Sequence, residues 1–122
     1  MKTRRVLVVE DEFLIRLSLS EALAEAGFVV TEAETADAAL PLIQADPSFD
    51  LLVTDIQLPG ELDGSALARA ARDLQPALPV LFMTGCLPPG LTQSPYDVYV
   101  SKPYSLDEIC HVARRLLDGA YA

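Results

Sequence analysis

Basic residues are scarce in this chain: 9 Lys and Arg stand against 18 Asp and Glu, a formal net charge of −9. Non-specific binding to nucleic acid rests on Lys and Arg meeting phosphates, so no direct nucleic-acid binding is expected. The acidic balance suits a partner with a basic surface instead. Cysteine is scarce too. Cys86 and Cys110 stand far apart with no CxxC spacing, which speaks against a thiol metal site or redox motif and for free thiols at least partly buried. Long apolar runs are missing. After Lys2, Arg4 and Arg5, only Val6–Val9 runs apolar before Glu10, too short for a signal peptide. Nowhere do about 18 apolar residues follow one another, as a membrane-spanning helix needs. No linker, repeat or low-complexity stretch divides the 122 residues, and 51% of them are hydrophobic. The expectation is one cytoplasmic domain over residues 1–122, with no membrane contact and a real core.

What is there alternates. Val6–Val9 is a continuous apolar run, the mark of a strand buried on both faces. Ile15, Leu19, Ala22, Leu23 and Ala26 then form one helical stripe, closed by Gly27. Phe28–Glu32 reads as a second strand. Thr35 is an N-cap for a helix to about Ala45, which Pro41 should kink or shorten. Phe49–Thr54 reads as a third strand running into Asp55, followed by a loop with Pro59, Gly60 and Gly64 as breakers. Leu67, Ala70, Ala71 and Leu74 mark a third helix, Pro79–Met83 a fourth strand and Val98–Val100 a fifth. Ser105 with Glu108 is a capping-box pattern. It opens a last helix with Leu106, Ile109, Ala113, Leu116 and Leu117 on one face. Alternating strands and helices predict a doubly wound parallel α/β sheet. Right-handed crossovers put every strand's C-terminal end on one edge, where ligands of such sheets bind.

That edge is acidic. Glu10 and Asp11 follow the first strand and Asp55 ends the third. If those strands are neighbours, three carboxylates converge. Two like charges ~4 Å apart repel by ~4 kcal/mol at an effective dielectric near 20, so the cluster calls for a cation. Hard oxygen ligands suit Mg²⁺. Singly, each acid has a plainer explanation as a loop solubiliser or, for Asp11, a helix cap. Thr84 and Lys102 end the fourth and fifth strands, and a hydroxyl and an ammonium there can hold phosphoryl oxygens. Phosphoryl transfer is mainly positioning and charge neutralisation, so this set is chemically sufficient, with a carboxylate as nucleophile. The single histidine, His111, falls on the last helix away from this edge and reads as an exposed helix residue.

Four segments in this order, VLVVEDE (Val6–Glu12), LLVTDIQLPGELDG (Leu51–Gly64), PVLFMTG (Pro79–Gly85) and YVSKP (Tyr99–Pro103), resemble the receiver domains of two-component response regulators. The resemblance covers essentially the whole chain. It implies a flavodoxin-like (βα)5 fold with strand order 2-1-3-4-5. It implies Asp55 as phosphoacceptor, taking its phosphoryl group from a phosphohistidine on a sensor histidine kinase or a histidine phosphotransfer protein. Mg²⁺ would be held by Asp11, Asp55 and the backbone carbonyl of Gln57, with Glu10 acting directly or through water. Thr84, Gly85 and Lys102 would bind the phosphoryl group, Tyr99 would be the aromatic that moves when Thr84 closes on it, and Lys102–Pro103 would be a cis peptide bond.

Three departures from the family pattern stand out. The loop Pro59–Asp63 is one residue longer than usual before the Asp-Gly that opens the third helix. Gly85, Pro88, Pro89, Gly90 and Pro95 crowd the place of the family's fourth helix. Proline costs ~3 kcal/mol and glycine ~1 kcal/mol in a helix interior, so a loop or single turn is expected there. Phe82-Met83-Thr84-Gly85 is similar to the Phe-Ala-Thr-Gly motif of an atypical receiver subgroup in which that helix is degraded. Phosphorylation is then expected to order the Cys86–Pro95 segment and change what partner binds. Third, no output domain follows the last helix, so output is expected through protein contact with an unknown partner or through relay. The oligomeric expectation is a monomer or weak dimer.

The expected role is a signalling switch that catalyses only its own phosphorylation and dephosphorylation. An Mg²⁺-dependent phosphatase with an aspartyl nucleophile is the competing reading. Such enzymes generally carry a second acid two residues after the nucleophile, where this chain has Gln57, and a cap domain, for which there is no segment. A degenerate scaffold would need a broken site, and this one reads as intact. A receiver segment of a hybrid kinase fits the same pattern.

Overall fold

The protein, seen in a computed structural model, is described over residues 4–85 and 96–118. Among these residues β1 (Arg5–Val9), α1 (Phe13–Glu25), β2 (Val29–Ala33), α2 (Ala36–Ala45), β3 (Leu51–Asp55), α3 (Gly64–Leu74), β4 (Val80–Thr84), β5 (Asp97–Ser101) and α4 (Leu106–Leu117) follow in order. The five strands form one sheet in the order β2-β1-β3-β4-β5, and every neighbouring pair is parallel. This is the flavodoxin-like arrangement expected from the sequence. The expected replacement of a helix between the fourth and fifth strands, the ordering of that segment, and Cys86 all fall on residues 86–95, outside the described residues.

Successive residues of a strand face opposite sides of the sheet, so an uninterrupted apolar strand feeds two cores at once. In β1, Val6 and Val8 pack with Leu19 and Leu23 of α1 and with Val112 and Leu116 of α4. Leu7 and Val9 pack on the other face with Ala39 and Ile43 of α2 and with Leu67 and Ala71 of α3. Each Leu fully buried this way contributes about 1.5–3 kcal/mol relative to exposure. Helices on both faces bury the central strands β1, β3 and β4, while the edge strands β2 and β5 stay partly open to solvent.

The helix signals hold where they rest on hydrogen bonds. Thr35 Oγ1 accepts from the Ala38 amide at 3.0 Å, and Ser105 Oγ accepts from the Glu108 amide at 3.0 Å. Gly27 has φ +102° and lets the Phe28 amide reach back to the Leu23 carbonyl at 3.1 Å. Pro41 does not shorten α2, which runs to Ala45. Pro41 stands mid-helix, where its missing amide removes one internal hydrogen bond.

Two apolar residues lie elsewhere than periodicity predicts. Leu106, expected in the core, is exposed, and Val112 takes the buried position with Ile109, Ala113 and Leu116. The stripe i, i+3, i+4, i+7 starts at Ile109, one turn later than the capping signal suggests. Leu74 is exposed as well. The chain leaves α3 there, and it is Gln75 that turns inward, its Nε2 donating to the Phe49 carbonyl at 2.8 Å.

Candidate functional site

Parallel register assembles the edge. Val9 pairs with Thr54, so Glu10 and Asp55 come next on adjacent strands. Asp55 pairs with Met83, and Thr84 pairs with Ser101. The Lys102 amide then donates to the Thr84 carbonyl at 2.8 Å. Carboxylate oxygens of Glu10, Asp11 and Asp55 lie within 4.8 Å of one another. Lys102 Nζ sits 2.5 Å from Asp55 Oδ2. The Lys102–Pro103 bond is cis.

Glu10, Asp55 and Thr84 are buried, whereas Asp11, Gln57 and Gly85 are exposed at the same edge. Tyr99 lies half-buried within β5, its ring stacked on Phe82 with centroids 4.8 Å apart. His111 is exposed on α4 and takes no part. Asp11 does not cap α1: the N-cap residue is Glu12, and no side chain caps this helix.

A divalent cation fits what is present. Glu10 is 1% exposed. Its Oε1 accepts from the Glu12 amide at 3.1 Å, but its Oε2 is buried with no hydrogen-bond partner. A buried orphan carboxylate oxygen beside two further carboxylates is costly unless a cation or proton meets it. Burial is the main reason the Glu10 carboxyl is pushed up to about 7, with the charges of Asp55 and Asp11 adding to it against the Glu12 amide and Lys102. For Lys102, burial alone would lower the pKa, but the hydrogen bond and charge of Asp55, with Glu10 and Glu12, raise it. The ammonium is held in its charged form.

Several contributors are not legible in the sequence. Gly64 reads there as a breaker, yet a β-carbon at this position would lie 2.1 Å from the Asp55 carbonyl oxygen. Its amide donates to the Ile56 carbonyl at 2.7 Å, closing the loop after Asp55. Within the loop Pro59–Asp63, Gly60 takes a φ of +104°. Asp37 Oδ2 lies close enough to fill the place of a β-carbon at Gly60 and accepts from the Glu61 amide at 3.1 Å. Tyr104 joins the edge from the β5–α4 turn. Burial, then the charges of Glu10, Asp55 and Glu12, push its phenol up to about 12.

Beside this edge the surface turns apolar. Phe13, Leu14 and Leu17 of α1 and Leu106 of α4 are exposed. A cavity of about 410 Å³ opens between Leu14 and Leu106, lined also by Ile15, Ser18, Lys102, Pro103 and Tyr104. Lys102 belongs to both the cavity and the acidic cluster.

The family model described as "Response regulator receiver domain" matches residues 6–114. The chain is 36% identical over 121 residues to the response regulator receiver protein CpdR of Brucella abortus, covering 96% of this chain and 99% of that protein. It is 30% identical over 118 residues to the sensor kinase CckA of the same organism, covering 93% of this chain but only 12% of the kinase. Among solved structures, a response regulator receiver protein from Sinorhizobium medicae superposes with a TM-score of 0.86 at 25% identity, over 99% of this chain and 98% of that one.

Proposed function

The chain belongs to the response regulator receiver family of two-component signalling, and on that premise we propose that residues 1–122 form one receiver domain whose phosphoacceptor is Asp55. The observation that carries the assignment is the buried carboxylate of Asp55, paired with Lys102 and grouped with Glu10 and Asp11. In the proposed reaction an Asp55 oxygen attacks the phosphorus of a phosphohistidine. A P–O bond forms, the P–N bond breaks, and its electron pair stays on the departing imidazole. The Lys102 ammonium neutralises charge on the phosphoryl oxygens, and the Thr84 hydroxyl and Gly85 amide donate to them. Glu10, Asp11, Asp55 and the Gln57 carbonyl would hold Mg²⁺, which supplies charge neutralisation to carboxylates and phosphoryl group alike. Tyr99, stacked on Phe82, is the aromatic through which Thr84 alters the outer face of β5.

The phosphoryl donor in this reading is a sensor histidine kinase or histidine phosphotransfer protein. The exposed Phe13, Leu14 and Leu17 support it, because an apolar surface of this kind marks a protein contact and Lys102 connects it to the acids. The output is a protein contact made by a monomer or weak dimer, and the only chemistry is the domain's own phosphorylation and dephosphorylation. Among the described residues no helix is long and apolar enough to cross a membrane, which supports the cytoplasm as the place of work.

The test is incubation with Mg²⁺ and acetyl phosphate, read by intact mass. The wild type should gain one phosphoryl group and Asp55→Asn none. A wild type that stays unmodified, and whose NMR spectrum ignores beryllofluoride, overturns the assignment.

A further inference from the structure

Arg16 lies on the inner side of α1 and is only 7% exposed. Burying a guanidinium costs several kcal/mol unless charges and hydrogen bonds meet it. Its Nε donates to Glu32 Oε1 at 3.2 Å, and its Nη2 lies 3.7 Å from Glu34 Oε1. The guanidinium also sits over the Phe13 ring, 5.5 Å from its centroid. These contacts are enough to explain a bridge from α1 to the edge strand β2.

They do not explain the remaining bond. Arg16 Nη1 donates to the carbonyl of Glu10 at 2.9 Å, a buried contact. Glu10 is thereby held at three points. Its amide donates to the Ala33 carbonyl at 3.2 Å, its carbonyl accepts from Arg16, and its Oε1 accepts from the Glu12 amide. Only Oε2 is left over, buried, without a partner and in the cluster with Asp11 and Asp55. A backbone pinned on both sides of the Cα, with one carboxylate oxygen tied down, leaves the side chain little choice of rotamer.

We infer that Arg16 is a positioning residue for the divalent-cation site: through the Glu10 carbonyl it holds the β1–α1 turn so that Glu10 Oε2 faces the carboxylates of Asp11 and Asp55. The inference rests on the metal reading proposed above. Groups that orient metal ligands without touching the metal typically account for roughly 10- to 100-fold in affinity. The planar fork matters here, because a lysine can keep the charge beside Glu32 and Glu34 but cannot span them and the Glu10 carbonyl together.

The experiment is an Mg²⁺ titration of the full chain followed by the amide NMR shifts of residues 10–12, with thermal melts alongside. Arg16→Met should weaken Mg²⁺ binding by roughly 10-fold or more, and Arg16→Lys by a smaller factor. The double variant E32Q/E34Q removes the outer ion pairs and keeps the Glu10 contact. It should melt earlier yet bind Mg²⁺ within about twofold of wild type, a difference inside ordinary mutational scatter. A folded Arg16→Met that binds Mg²⁺ like wild type overturns the inference, as does an E32Q/E34Q variant that loses as much affinity. If Arg16→Met does not fold, Arg16→Lys decides, and unchanged affinity there overturns it. A wild type that binds no Mg²⁺ overturns the metal reading and this inference with it, whereas a binding wild type with indifferent Arg16 variants overturns this inference alone.

Discussion

Gly64 packs directly against the carbonyl of Asp55: a β-carbon at position 64 would lie 2.1 Å from that oxygen and 3.0 Å from the Ile56 Cα. Both contacts are backbone, so neither can rotate away. Replacing Gly64 with Ala forces the start of α3 and the end of β3 apart. The expected loss is about 1–3 kcal/mol, the usual cost of overpacking. Because the displaced strand end carries Asp55, Mg²⁺ affinity should fall together with stability. Urea unfolding and an Mg²⁺ titration of Gly64→Ala check both, and unchanged affinity would mean that the shift is taken up by α3 alone.

Glu10 implies an unusual pH dependence. Its carboxyl is pushed from an ordinary 4.5 up to about 7, chiefly by burial. A raised folded-state pKa means that the native protein binds this proton more tightly than the unfolded chain does. The group's contribution to stability is therefore fullest below the unfolded value and is lost as pH rises toward the folded one, at about 1.4 kcal/mol for each pH unit between the two values. In EDTA, Glu10→Gln should gain stability over wild type progressively between about pH 5 and pH 7 and level off above that. Mg²⁺ replaces the proton, so it should shrink this gap, and its own affinity for wild type should rise over the same interval. Thermal melts of the two proteins with EDTA and with Mg²⁺ measure it. A gap that ignores pH would show that Glu10 titrates normally.

Lys102 and a metal ion compete for the same carboxylate, since Nζ already contacts Asp55 Oδ2. Lys102→Met should tighten Mg²⁺ binding while slowing phosphorylation by acetyl phosphate on the order of 10²-fold, the scale of losing one donor to a developing oxyanion. Paired measurements of affinity and single-turnover rate separate the two effects. If both fall together, Lys102 acts through folding rather than through charge.

Leu14 is 73% exposed, so Leu14→Glu should change stability by no more than about 0.5 kcal/mol. It should leave phosphorylation by acetyl phosphate unchanged. Transfer from a phosphohistidine protein should drop by roughly 10-fold, as expected for an apolar anchor at an interface. Equal loss with both donors would place the defect inside the site rather than at a docking surface.

The parts of the fold that are readable in advance rest on short-range regularities. The strand β1 is legible because Val6–Val9, buried on both faces, has no polar member. The ends of α2 and α4 are legible because Thr35 and Ser105 cap through bonds three residues long. Arg16 escapes such reading although it carries a signal: with Leu19, Ser20 and Leu23 it shares the buried stripe of α1, and a charge on such a stripe demands partners. Those partners, Glu10 just after β1 and Glu32 in β2, are set side by side by the pairing of the two strands, and no local rule supplies them. Leu106 and Leu74 look like core residues in sequence because periodicity says which face a residue takes but not where the opposing surface ends.

Order along the chain determined the alternation of strands and helices, the acids at the ends of β1 and β3, and the four segments that carry the family likeness. These depend on each residue's own chemistry and on neighbours a few positions away. What only the tertiary structure decided was distance. Parallel register set Glu10 beside Asp55 and left one Glu10 oxygen buried without a partner. Close packing made Gly64 a steric necessity. The α1–β2 contact turned Arg16 inward to the Glu10 carbonyl. Glu10 and Asp55 are 45 positions apart and meet only through strand pairing, whereas Gly64–Asp55 and Arg16–Glu10 are six to nine positions apart and are fixed by the way each strand end turns into its helix against the packed sheet.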